Sequence, residues 1–496
     1  MLELPNSWVA VKLGDFVENE KGKKPKSESK TETASHSFPY VDIQAFEENV
    51  IRTWTDGVGC RLCYETDFLM VWDGSRSGLV GKGMNGALGS TLVRIYFPSM
   101  VNDYAFYFLQ SKYQQINTRA KGVGIPHVDP ALLWNYDFPI PPFNEQHRIV
   151  AKIEELFSEL DKGIENLKTA QVQLKVYRQA LLKHAFEGKL TAQWRAENQD
   201  KLETADAVLK RIQQERTQRY EQQLADWEAA GKQGSKPKAP KSLPPLTAED
   251  LAELPELPEG WGYIQIGNLL DVVSGNTPKG IETTKGTEIP YYRVSDMNRE
   301  GNVVSMNTSA TYLSEKEASE IGLNIYPAGT IIFPKRGGAI ATNKKRRLAH
   351  RSCFDLNLMG LTNLPDSLCP GYLWLWILSL DLASISDGSN VPQINNRNVE
   401  PLMFPICSFE AQALIVELVE ARLSEANQLD QTLTIALQQA EALRQSILKK
   451  AFSGQLVAHD PNDEPASVLL ARIKAQRTSV DQKSALVIRR TRKETA

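Results

Sequence analysis

Apolar residues recur through residues 143–190 at spacings that alternate between four and three positions. This seam runs from Ile149 to Leu181, and Gly163 interrupts it. Alternating spacings of four and three are typical of a coiled-coil helix, and no proline occurs in the stretch. At about 1.5 Å per residue, the pattern predicts a continuous helical rod of roughly 50 Å. The seam positions are 149, 153, 156, 160, 163, 167, 170, 174, 177 and 181.

The same pattern returns 266 residues later. Phe143 to Leu190 aligns without a gap with Phe409 to Leu456, and Arg422 interrupts the second seam. Identical pairs occur along the whole alignment, among them Gln146 and Gln412, Arg178 and Arg444, Phe186 and Phe452, and Gly188 and Gly454. A long helix with an apolar stripe needs a partner. The sequence therefore predicts that the two copies pack against each other.

The repeat extends into the segments that precede the helices, which makes it an internal duplication of most of the chain. Leu4-Pro5, Trp8, Gly122 and Pro126 recur as Leu257-Pro258, Trp261, Gly388 and Pro392. The ends of the two copies match, whereas their middles diverge. This pattern is expected of two domains of one fold that perform the same operation on different targets.

Each copy predicts an α+β globular domain, because short β-like runs alternate with helical stretches. The β-like runs include residues 68–72, 91–97 and 329–334, and the helical stretches include 105–116 and 371–385. The predicted segments are a first globular domain (1–142), a first long helix (143–195), a polar helical segment with a linker (196–254), a second globular domain (255–408), a second long helix (409–456), and a C-terminal helical segment with a tail (457–496).

The segments outside the domains are polar. Residues 205–229 are charged and favour a helix, and Gly231 to Pro245 is rich in Lys, Pro, Gly and Ser, which predicts a flexible linker. Part of this region repeats near the C-terminus, where Leu209 and Ile212 recur as Leu470 and Ile473. The residues from about Thr478 onward are predicted to be disordered.

Composition and charge exclude several classes of protein. The 496 residues carry a net charge of −3, so only local patches can argue for nucleic acid. Five cysteines, an odd number in so long a chain, favour a reducing compartment. The N-terminus does not resemble a signal peptide, and the most apolar stretch, Tyr372 to Leu380, is too short to span a bilayer. We therefore expect a cytoplasmic protein.

No motif for catalysis, nucleotide binding or metal binding stands out. Gly81-Lys82-Gly83 resembles the end of a P-loop, but Arg76 stands where the leading glycine is required and no Ser or Thr follows Lys82. Cys60 and Cys63 form a lone pair without the second pair of a zinc site. The six histidines have no ligand or triad spacing. The sequence thus predicts neither catalytic residues nor metal ligands.

Basic patches are the strongest sign of a nucleic-acid partner. From Lys335 to Arg351 the chain carries seven basic residues and no acidic one, with glycines between them, as suits a loop that meets phosphates. A second cluster lies between Lys21 and Lys30, and the acid-free stretch 74–102 adds further cations. The alternative is a solvated loop without a ligand. The DNA-binding candidates are Lys23, Lys24, Lys26, Arg76, Lys82, Lys335, Arg336, Lys344, Lys345, Arg346 and Arg347.

Together these segments resemble the specificity subunit of a type I restriction–modification system, over nearly the whole chain. The most specific parts are PIPPFNEQHRIV…RQALLKHAFEGKL and PICSFEAQALIV…RQSILKKAFSGQL, followed by the paired openings LPNSWVAVKLGDF and LPEGWGYIQIGNLL. The second copy departs from the family's Pro-Pro-x-x-Glu-Gln pattern, because it has Cys407-Ser408-Phe409-Glu410-Ala411-Gln412. This departure is expected to loosen the turn before the second helix but to leave the helix intact.

The resemblance implies two target recognition domains of one fold, joined by two long antiparallel coiled-coil helices in a pseudo-twofold arrangement. Members of the family read a bipartite DNA site and have no catalysis or cofactor of their own. They recruit two modification subunits that methylate adenine N6, and two restriction subunits can join. S-adenosylmethionine, ATP and Mg²⁺ are therefore expected only on partner subunits. A rod of roughly 50 Å exceeds one DNA turn of about 34–36 Å, so the helices are expected to set an unread spacer between half-sites.

Apolar residues outside the seam suggest where the modification subunits dock. Equivalent positions of the two helices carry them, which implies two identical partners. The alternative is that these side chains pack onto the chain's own recognition domains. The docking candidates are Val150, Phe157, Leu182, Phe186, Val416, Leu423, Leu448 and Phe452.

Two other functions remain open from the sequence alone. A coiled-coil scaffold that binds only protein would show no affinity for DNA in an electrophoretic assay. A self-contained methyltransferase or nuclease would bind S-adenosylmethionine or cleave DNA as an isolated chain, but the sequence lacks a cofactor loop and a base-flipping motif.

Overall fold

The computed structural model describes residues 4–98, 100–122, 124–232 and 236–475. The chain forms two compact units. The first combines the residues up to Thr169 with those from Leu433 onward, and the second runs from Ala170 to Thr432. Each unit therefore contains one globular domain and a part of each long helix. No helix in the described part of the chain is long and apolar enough to cross a membrane.

The globular domain of the first unit combines two sheets with a buried helix. One antiparallel sheet has the strand order β2-β10-β7-β8, and a mixed sheet has the order β3-β5-β4-β9-β6. The strands are β1 (Val9–Lys12), β2 (Glu18–Lys21), β3 (Glu28–Ser29), β4 (Phe38–Val41), β5 (Trp54–Thr55), β6 (Leu62–Cys63), β7 (Phe68–Val71), β8 (Val80–Lys82), β9 (Gly86–Leu88), β10 (Leu92–Tyr96) and β11 (Asp137–Ile140). The helices are α1 (Ile43–Glu48), α2 (Asn102–Thr118) and α3 (Pro130–Leu133).

The position of strand β7 in the fold accounts for its continuous run of apolar residues, from which the strand was predicted. All four of its residues are buried. Phe68 and Met70 face the main core, which includes α2, whereas Leu69 and Val71 belong to a second cluster with Val41. A strand that is covered on both faces has no polar alternation. The predicted α+β class is confirmed in this unit.

The second unit repeats this arrangement. Its long helical segments are α4 (Phe143–Phe186) and α12 (Phe409–Phe452), which each span 44 residues and extend into both units. Its other helices are α5 (Ala192–Glu197), α6 (Ala205–Ala229), α7 (Ala248–Ala252), α8 (Ile266–Leu269), α9 (Glu315–Glu320), α10 (Pro370–Ser379) and α11 (Asn396–Val399). Its strands are β12 (Gly262–Gln265), β13 (Asp271–Ser274), β14 (Ile289–Tyr292), β15 (Ser305–Met306), β16 (Thr311–Leu313), β17 (Ile331–Pro334), β18 (Arg346–Leu348), β19 (Cys353–Phe354), β20 (Leu358–Thr362) and β21 (Met403–Ile406).

The sheets of the second unit have the orders β13-β20-β17-β18-β15 and β16-β14-β19. The predicted helix at residues 371–385 is too long, because α10 ends at Ser379. Beyond it, the carboxylate of Asp381 accepts a hydrogen bond from the Ala383 amide at 3.1 Å, which starts a turn. The helix therefore stops where the chain bends back toward the sheet.

In both units a two-stranded antiparallel ribbon connects the globular domain to a long helix. Strand β1 pairs with β11 over the register Val9 to Ile140, and β12 pairs with β21 over Gly262 to Ile406. The strand that precedes each long helix has a proline as its third residue, Pro139 in β11 and Pro405 in β21. The ribbons are the structural basis of the matching ends of the two sequence copies.

The long helices begin where the pattern predicts and end before a left-handed glycine. Gly188 and Gly454 have φ of 70° and 74°. A Cβ on Gly188 would lie 2.5 Å from the Pro258 ring, and one on Gly454 would lie 2.5 Å from the Pro5 ring. Glycine is required at both positions for conformation and for space.

The two helices are antiparallel in each unit, as predicted. In the first unit, Ile149 near the start of α4 and Phe452 at the end of α12 belong to the same buried cluster. In the second unit, Phe186 at the end of α4 shares a cluster with Ile415 near the start of α12. The predicted seam is only partly correct, because Tyr177 is exposed.

Repeated arginines hold the helices in register. Arg444 donates to the Asp161 carboxylate, and its guanidinium lies 4.4 Å from the Phe157 ring centre. The equivalent Arg178 donates to the Asn427 side chain at 2.9 Å, and Asn427 is the equivalent of Asp161. One cross-helix contact thus occurs twice, once within each unit.

A further helix packs against each globular domain at an equivalent place. The Ala205 amide at the start of α6 donates to the Gly260 carbonyl at 2.9 Å, and the Ala466 amide donates to the Ser7 carbonyl at 3.1 Å. Ala466 opens a helix, α13 (residues 466–475), that is the counterpart of α6. The tail predicted to be disordered from about Thr478 lies outside the described residues.

The predicted linker is partly attached to the second unit. Residues 236–247 form neither helix nor strand. The Lys241 ammonium nevertheless pairs with Glu400 at 2.8 Å, and the Leu243 amide donates to Asn268 at 2.7 Å. This stretch therefore differs from the freely flexible linker that its composition predicts.

Candidate nucleic-acid interface

The basic stretch Lys335 to Arg351 does not form one solvent-facing patch. It occupies the loop between β17 and β18, the strand β18 and the following turn. Lys345 is only 3% exposed, and its ammonium donates to the Leu380 carbonyl and, at 2.9 Å, to the Asn343 side chain. Burial lowers the pKa of Lys345 to about 8. The prediction that Lys345 meets DNA is therefore wrong, because its charge serves the fold.

Three further cations of this stretch have partners within the chain. Arg346 donates to the Asn302 carbonyl at 2.6 Å, and burial lowers its pKa. The Arg347 guanidinium lies 4.9 Å from the Trp374 ring centre. Lys335 donates to the Ser274 hydroxyl at 2.9 Å, and burial again lowers its pKa. These three side chains are half-buried and hold strand β18 and its loop in place.

The remaining cations differ in how far they are engaged. Lys344 donates to the Asn298 side chain, and Arg351 pairs with Glu315. Arg336 is exposed, and among the described residues its side chain has no recorded hydrogen bond or ion pair. Arg336 is thus the candidate of the stretch whose charge is most accessible to a ligand.

Buried Lys345 gives a testable consequence for stability. Lys345→Met is expected to lower the free energy of unfolding by about 1–3 kcal/mol, because the Leu380 carbonyl loses its ammonium donor and the Asn343 side chain keeps only the bond from the Leu382 amide. The ordinary pKa of 10.5 falls to about 8 on folding, so the unfolded chain binds more protons between these values. The stability of the natural protein relative to the methionine variant should therefore rise from about pH 8 to 10.5 and stay level below pH 8.

Urea unfolding of both proteins at pH 7 and pH 9.5 measures this difference. Lys344→Met is the matched control. Lys344 is the neighbouring lysine, but it is less buried than Lys345 and its ammonium donates to the Asn298 side chain alone among the described residues. Equal stability losses in the two variants, or a stability difference that is independent of pH for Lys345→Met, would contradict the assignment of Lys345 to the fold.

The cations of the first domain divide in the same way. Arg76 pairs with Glu47 at 2.8 Å, and Lys82 pairs with Asp103 at 2.9 Å. The sequence segment around these two cations contains no acidic residue, but the fold brings acidic residues of other segments next to them. The exposed side chains of Lys23, Lys24 and Lys26 follow β2 and have no recorded ion pair in the described part of the chain.

A pair of adjoining loops appears at the same place in both domains. In the first, the Gly74 amide after β7 donates to the Pro126 carbonyl at 2.7 Å, and the Val128 amide donates to Trp72 at 2.9 Å. In the second, the Gly337 amide donates to the Pro392 carbonyl at 2.8 Å, and the Ile394 amide donates to the Lys335 carbonyl at 2.9 Å. We name the described residues of the segments 121–127 and 387–393 the proline loops. The recurrence of Gly122 and Pro126 was the sequence signal for them, but it did not reveal what they adjoin.

The repeated glutamine explains how each long helix is attached. The Gln146 amide donates to the Pro141 carbonyl at 3.1 Å and accepts from the Val101 amide at 3.0 Å. Gln412 donates to the Cys407 carbonyl at 2.8 Å and accepts from the Cys369 amide at 2.9 Å. The second turn is thus not loosened, which corrects the expectation drawn from its altered sequence.

The apolar residues proposed for docking lie in the chain's own cores. Phe452 packs 5.3 Å from the Tyr104 ring, and Phe186 packs 5.2 Å from the Tyr372 ring. Phe157 lies 5.8 Å from Tyr107. Six of the eight are buried, namely Val150, Phe157, Leu182, Phe186, Leu448 and Phe452, and the half-buried Val416 and Leu423 contact the core of the second unit. The argument from surplus apolar surface therefore fails, and the alternative, packing onto the recognition domains, describes the structure.

Other apolar side chains of the helices are exposed. Tyr177 and Leu443 are equivalent in the repeat, and both lie open to solvent. Val172 and Val176 on α4 are exposed as well. The sequence pattern placed Tyr177 in the seam and so concealed this surface.

No group of His, Cys, Asp and Glu in the described ranges is arranged to hold a metal ion. Burial raises the pKa of the Cys63 thiol to about 12, which keeps it protonated and inert at neutral pH.

The comparisons with known proteins agree on one family. The profile described as Type I restriction modification DNA specificity domain matches residues 5–169 and 258–439. The Type I restriction enzyme MjaVIII specificity subunit of Methanocaldococcus jannaschii is 30% identical over 191 residues, which are 37% of this chain and 45% of that protein. The Type I restriction enzyme EcoDI specificity subunit of Escherichia coli is 22% identical over 97% of this chain and 98% of its own.

A solved chain shares the fold. It comes from a study of complex assembly and conformational transition of the type I R-M system, with a TM-score of 0.63 and 17% identity, and the match covers 92% of this chain and 100% of that one. The two profile matches coincide with the two copies of the internal repeat and cover most of the chain. The chain therefore belongs to the family of type I restriction modification DNA specificity domains, as a specificity subunit.

Proposed function

We propose that each globular domain reads one half of a bipartite DNA site for a type I restriction–modification complex. The observation that carries the proposal is the repetition of one arrangement in both units. Each domain presents a proline loop beside the loop that follows β7 or β17, and each is attached to the antiparallel helices through a buried glutamine. Two copies of one reading surface suit a site with two halves.

Exposed cations in both domains support contact with the DNA backbone. Arg336 lies in the loop that adjoins the second proline loop, and Lys23, Lys24 and Lys26 follow β2 in the first domain. Phosphate contacts supply affinity without sequence information, whereas base edges supply specificity. In this proposal the lysines and Arg336 position the duplex, and the loops read it.

Two modification subunits would dock on the long helices. The exposed and equivalent side chains Tyr177 and Leu443 are now the favoured contacts, because the eight residues chosen from the pattern are engaged within the chain. One copy of the surface on each unit suits two identical partners. S-adenosylmethionine, ATP and Mg²⁺ would bind to the modification subunits and to two restriction subunits, and not to this chain.

The long helices would set the spacer between the two half-sites. Each helix has 44 residues, or about 66 Å at roughly 1.5 Å per residue. This length exceeds one DNA turn of about 34–36 Å. The repeated arginine contacts support a fixed register, because each ties one helix to the other.

The DNA-binding role is tested by the salt dependence of affinity. Arg336→Ala is expected to weaken binding of a duplex and to reduce the slope of log affinity against log salt by about one, since one phosphate contact is lost. The measurement is fluorescence anisotropy of the chain assembled with its modification subunits, over a series of salt concentrations.

Arg351→Ala is the matched control, because this arginine belongs to the same basic stretch but pairs with Glu315. It should leave the slope unchanged. The same slope in all three proteins would remove Arg336 from the interface, and no binding of any duplex by the natural complex would refute DNA recognition.

A further inference from the structure

Each proline loop carries an aliphatic side chain that the fold leaves in water. Ile125 is 70% exposed and Val391 is 58% exposed. Both directly precede the repeated proline, Pro126 or Pro392. They occupy the same position of the internal repeat, so the exposure is not an accident of one loop.

Both loops are tied at their base, so the exposed side chains stand on an ordered support. The Lys121 and His127 backbones exchange two hydrogen bonds of 2.9 and 2.7 Å. In the second domain the Asp387 amide donates to Gln393 at 2.9 Å, and the Gln393 amide donates to the Asp387 carboxylate at 3.0 Å. A tied loop loses less conformational entropy when it binds a ligand.

The turn at the start of each loop depends on glycine. Gly122 has φ of 115° and Gly388 has φ of 68°. Non-glycine residues rarely adopt these angles. Glycine is therefore favoured at the same position of both loops.

The charge beside the loops indicates the kind of ligand. In the second domain the exposed Arg336 forms a backbone bridge with Gln393, two residues beyond Val391. In the first domain Asp73 forms the same bridge with His127, and Lys21 neutralises Asp73 at 2.7 Å. In the second domain an apolar side chain therefore lies near an exposed cation, which suits a ligand that has apolar groups next to phosphates, whereas the two charges beside the first loop cancel.

Duplex DNA offers this combination. The thymine methyl group in the major groove and the faces of a base step are apolar, and phosphates border both grooves. An exposed isoleucine or valine contributes nothing to the core, whereas burial against a base removes its surface from water.

We propose that Ile125 and Val391 are specificity-determining side chains that pack against the bases of the first and second half-site, respectively. The inference rests on the proposed DNA-recognition function. Each side chain would add an apolar contact to the hydrogen bonds that its domain makes with base edges. Loss of such a contact changes the preference for bases but not the number of neutralised phosphates.

The test uses the full chain assembled with its modification subunits and a duplex that carries the site methylated by the natural complex. Ile125→Ser and Val391→Ser are each expected to lower affinity for this duplex about tenfold, as a lost base contact does, with an unchanged salt slope. Each variant should relax the base preference of one half-site only, measured by methylation of duplexes randomised in either half. Val58→Ser and Val303→Ser are matched controls, because these valines are 67% and 69% exposed in the same two domains; they should behave as the natural protein.

The alternative outcomes separate the inference from the function on which it rests. If the natural complex prefers its site and both loop variants keep that preference and affinity, the inference is refuted while DNA recognition stands. Native mass spectrometry reports whether the variants release modification subunits. If they do, and the fraction that stays assembled binds DNA normally, the loops contact protein and the inference is again refuted. If the natural complex prefers no sequence, the proposed function itself fails.

Discussion

Exchange of residues 13–136 for those of a relative with another target is expected to change one half-site and to leave the other half and the spacer unchanged. The boundaries follow from the ribbon, because β1 ends at Lys12 and β11 begins at Asp137. The exchange therefore keeps the strand pairing that attaches the domain to α4. It replaces all of the first domain's loops, including the proline loop.

The donor must keep the aromatic contacts between the domain and the helices. Tyr104 packs against Phe452, and Tyr107 packs against Phe157. Loss of these rings would leave cavities that cost about 3–5 kcal/mol each, and misfolding would then hide the result. A donor with aromatic residues at both positions avoids this problem.

The readout is sequencing of methylated adenines in cells that carry the exchanged chain and its modification subunit. The reciprocal exchange of residues 266–402, between β12 and β21, is the matched control and should change the opposite half-site. Independent reading by two domains is contradicted if either exchange alters both halves or neither.

Insertion of seven residues after Thr169 and seven after Ile435 is expected to lengthen the spacer by about three base pairs. Seven residues keep the coiled-coil pattern and add about 10 Å of helix, which corresponds to about three base pairs at roughly 3.4 Å each. Both helices need the insertion, because Arg444 contacts Asp161 and Arg178 contacts Asn427. A paired insertion between these contacts preserves both.

Insertion into α4 alone is the control. It shifts Arg178 by two turns relative to Asn427 and is expected to destabilise the helix pair instead of lengthening the spacer. Mapping of methylated adenines reports the spacer, and thermal unfolding reports stability. A paired insertion that folds normally but keeps the old spacer would show that the helices do not set the distance.

The helices and the domain class were predictable because they depend on periodic patterns. The spacing from Ile149 to Leu181 and its ungapped repeat predicted two paired helices of equal length, although α4 and α12 extend beyond the seam at both ends. The continuous apolar run of β7 likewise required burial on both faces. These features arise from backbone geometry and burial, which a single sequence records directly.

The interface was less predictable because a run of basic residues in the sequence does not show which of them the fold buries or pairs with acidic residues. Lys345 and Arg346 lie in an acid-free run, yet the fold turns them toward the carbonyl groups of Leu380 and Asn302. Arg76 has no acidic neighbour in its own segment, but Glu47 reaches it from α1. Only the folded chain shows which cations remain available.

The docking residues failed for a related reason. A helical pattern shows that Phe157 and Phe452 need burial, but it does not show what covers them. The first globular domain covers them in this chain. Conversely, Tyr177 matched the seam by spacing and is nevertheless exposed.

The most direct test of the account is to map methylated adenines in a restriction-deficient host that carries the modification subunit with or without this chain. The account predicts methylation at one bipartite sequence, with two fixed halves around an unread spacer, only when the chain is present. Methylation of the same sequence without the chain, or of a continuous site with it, would contradict the assignment of recognition to the two domains.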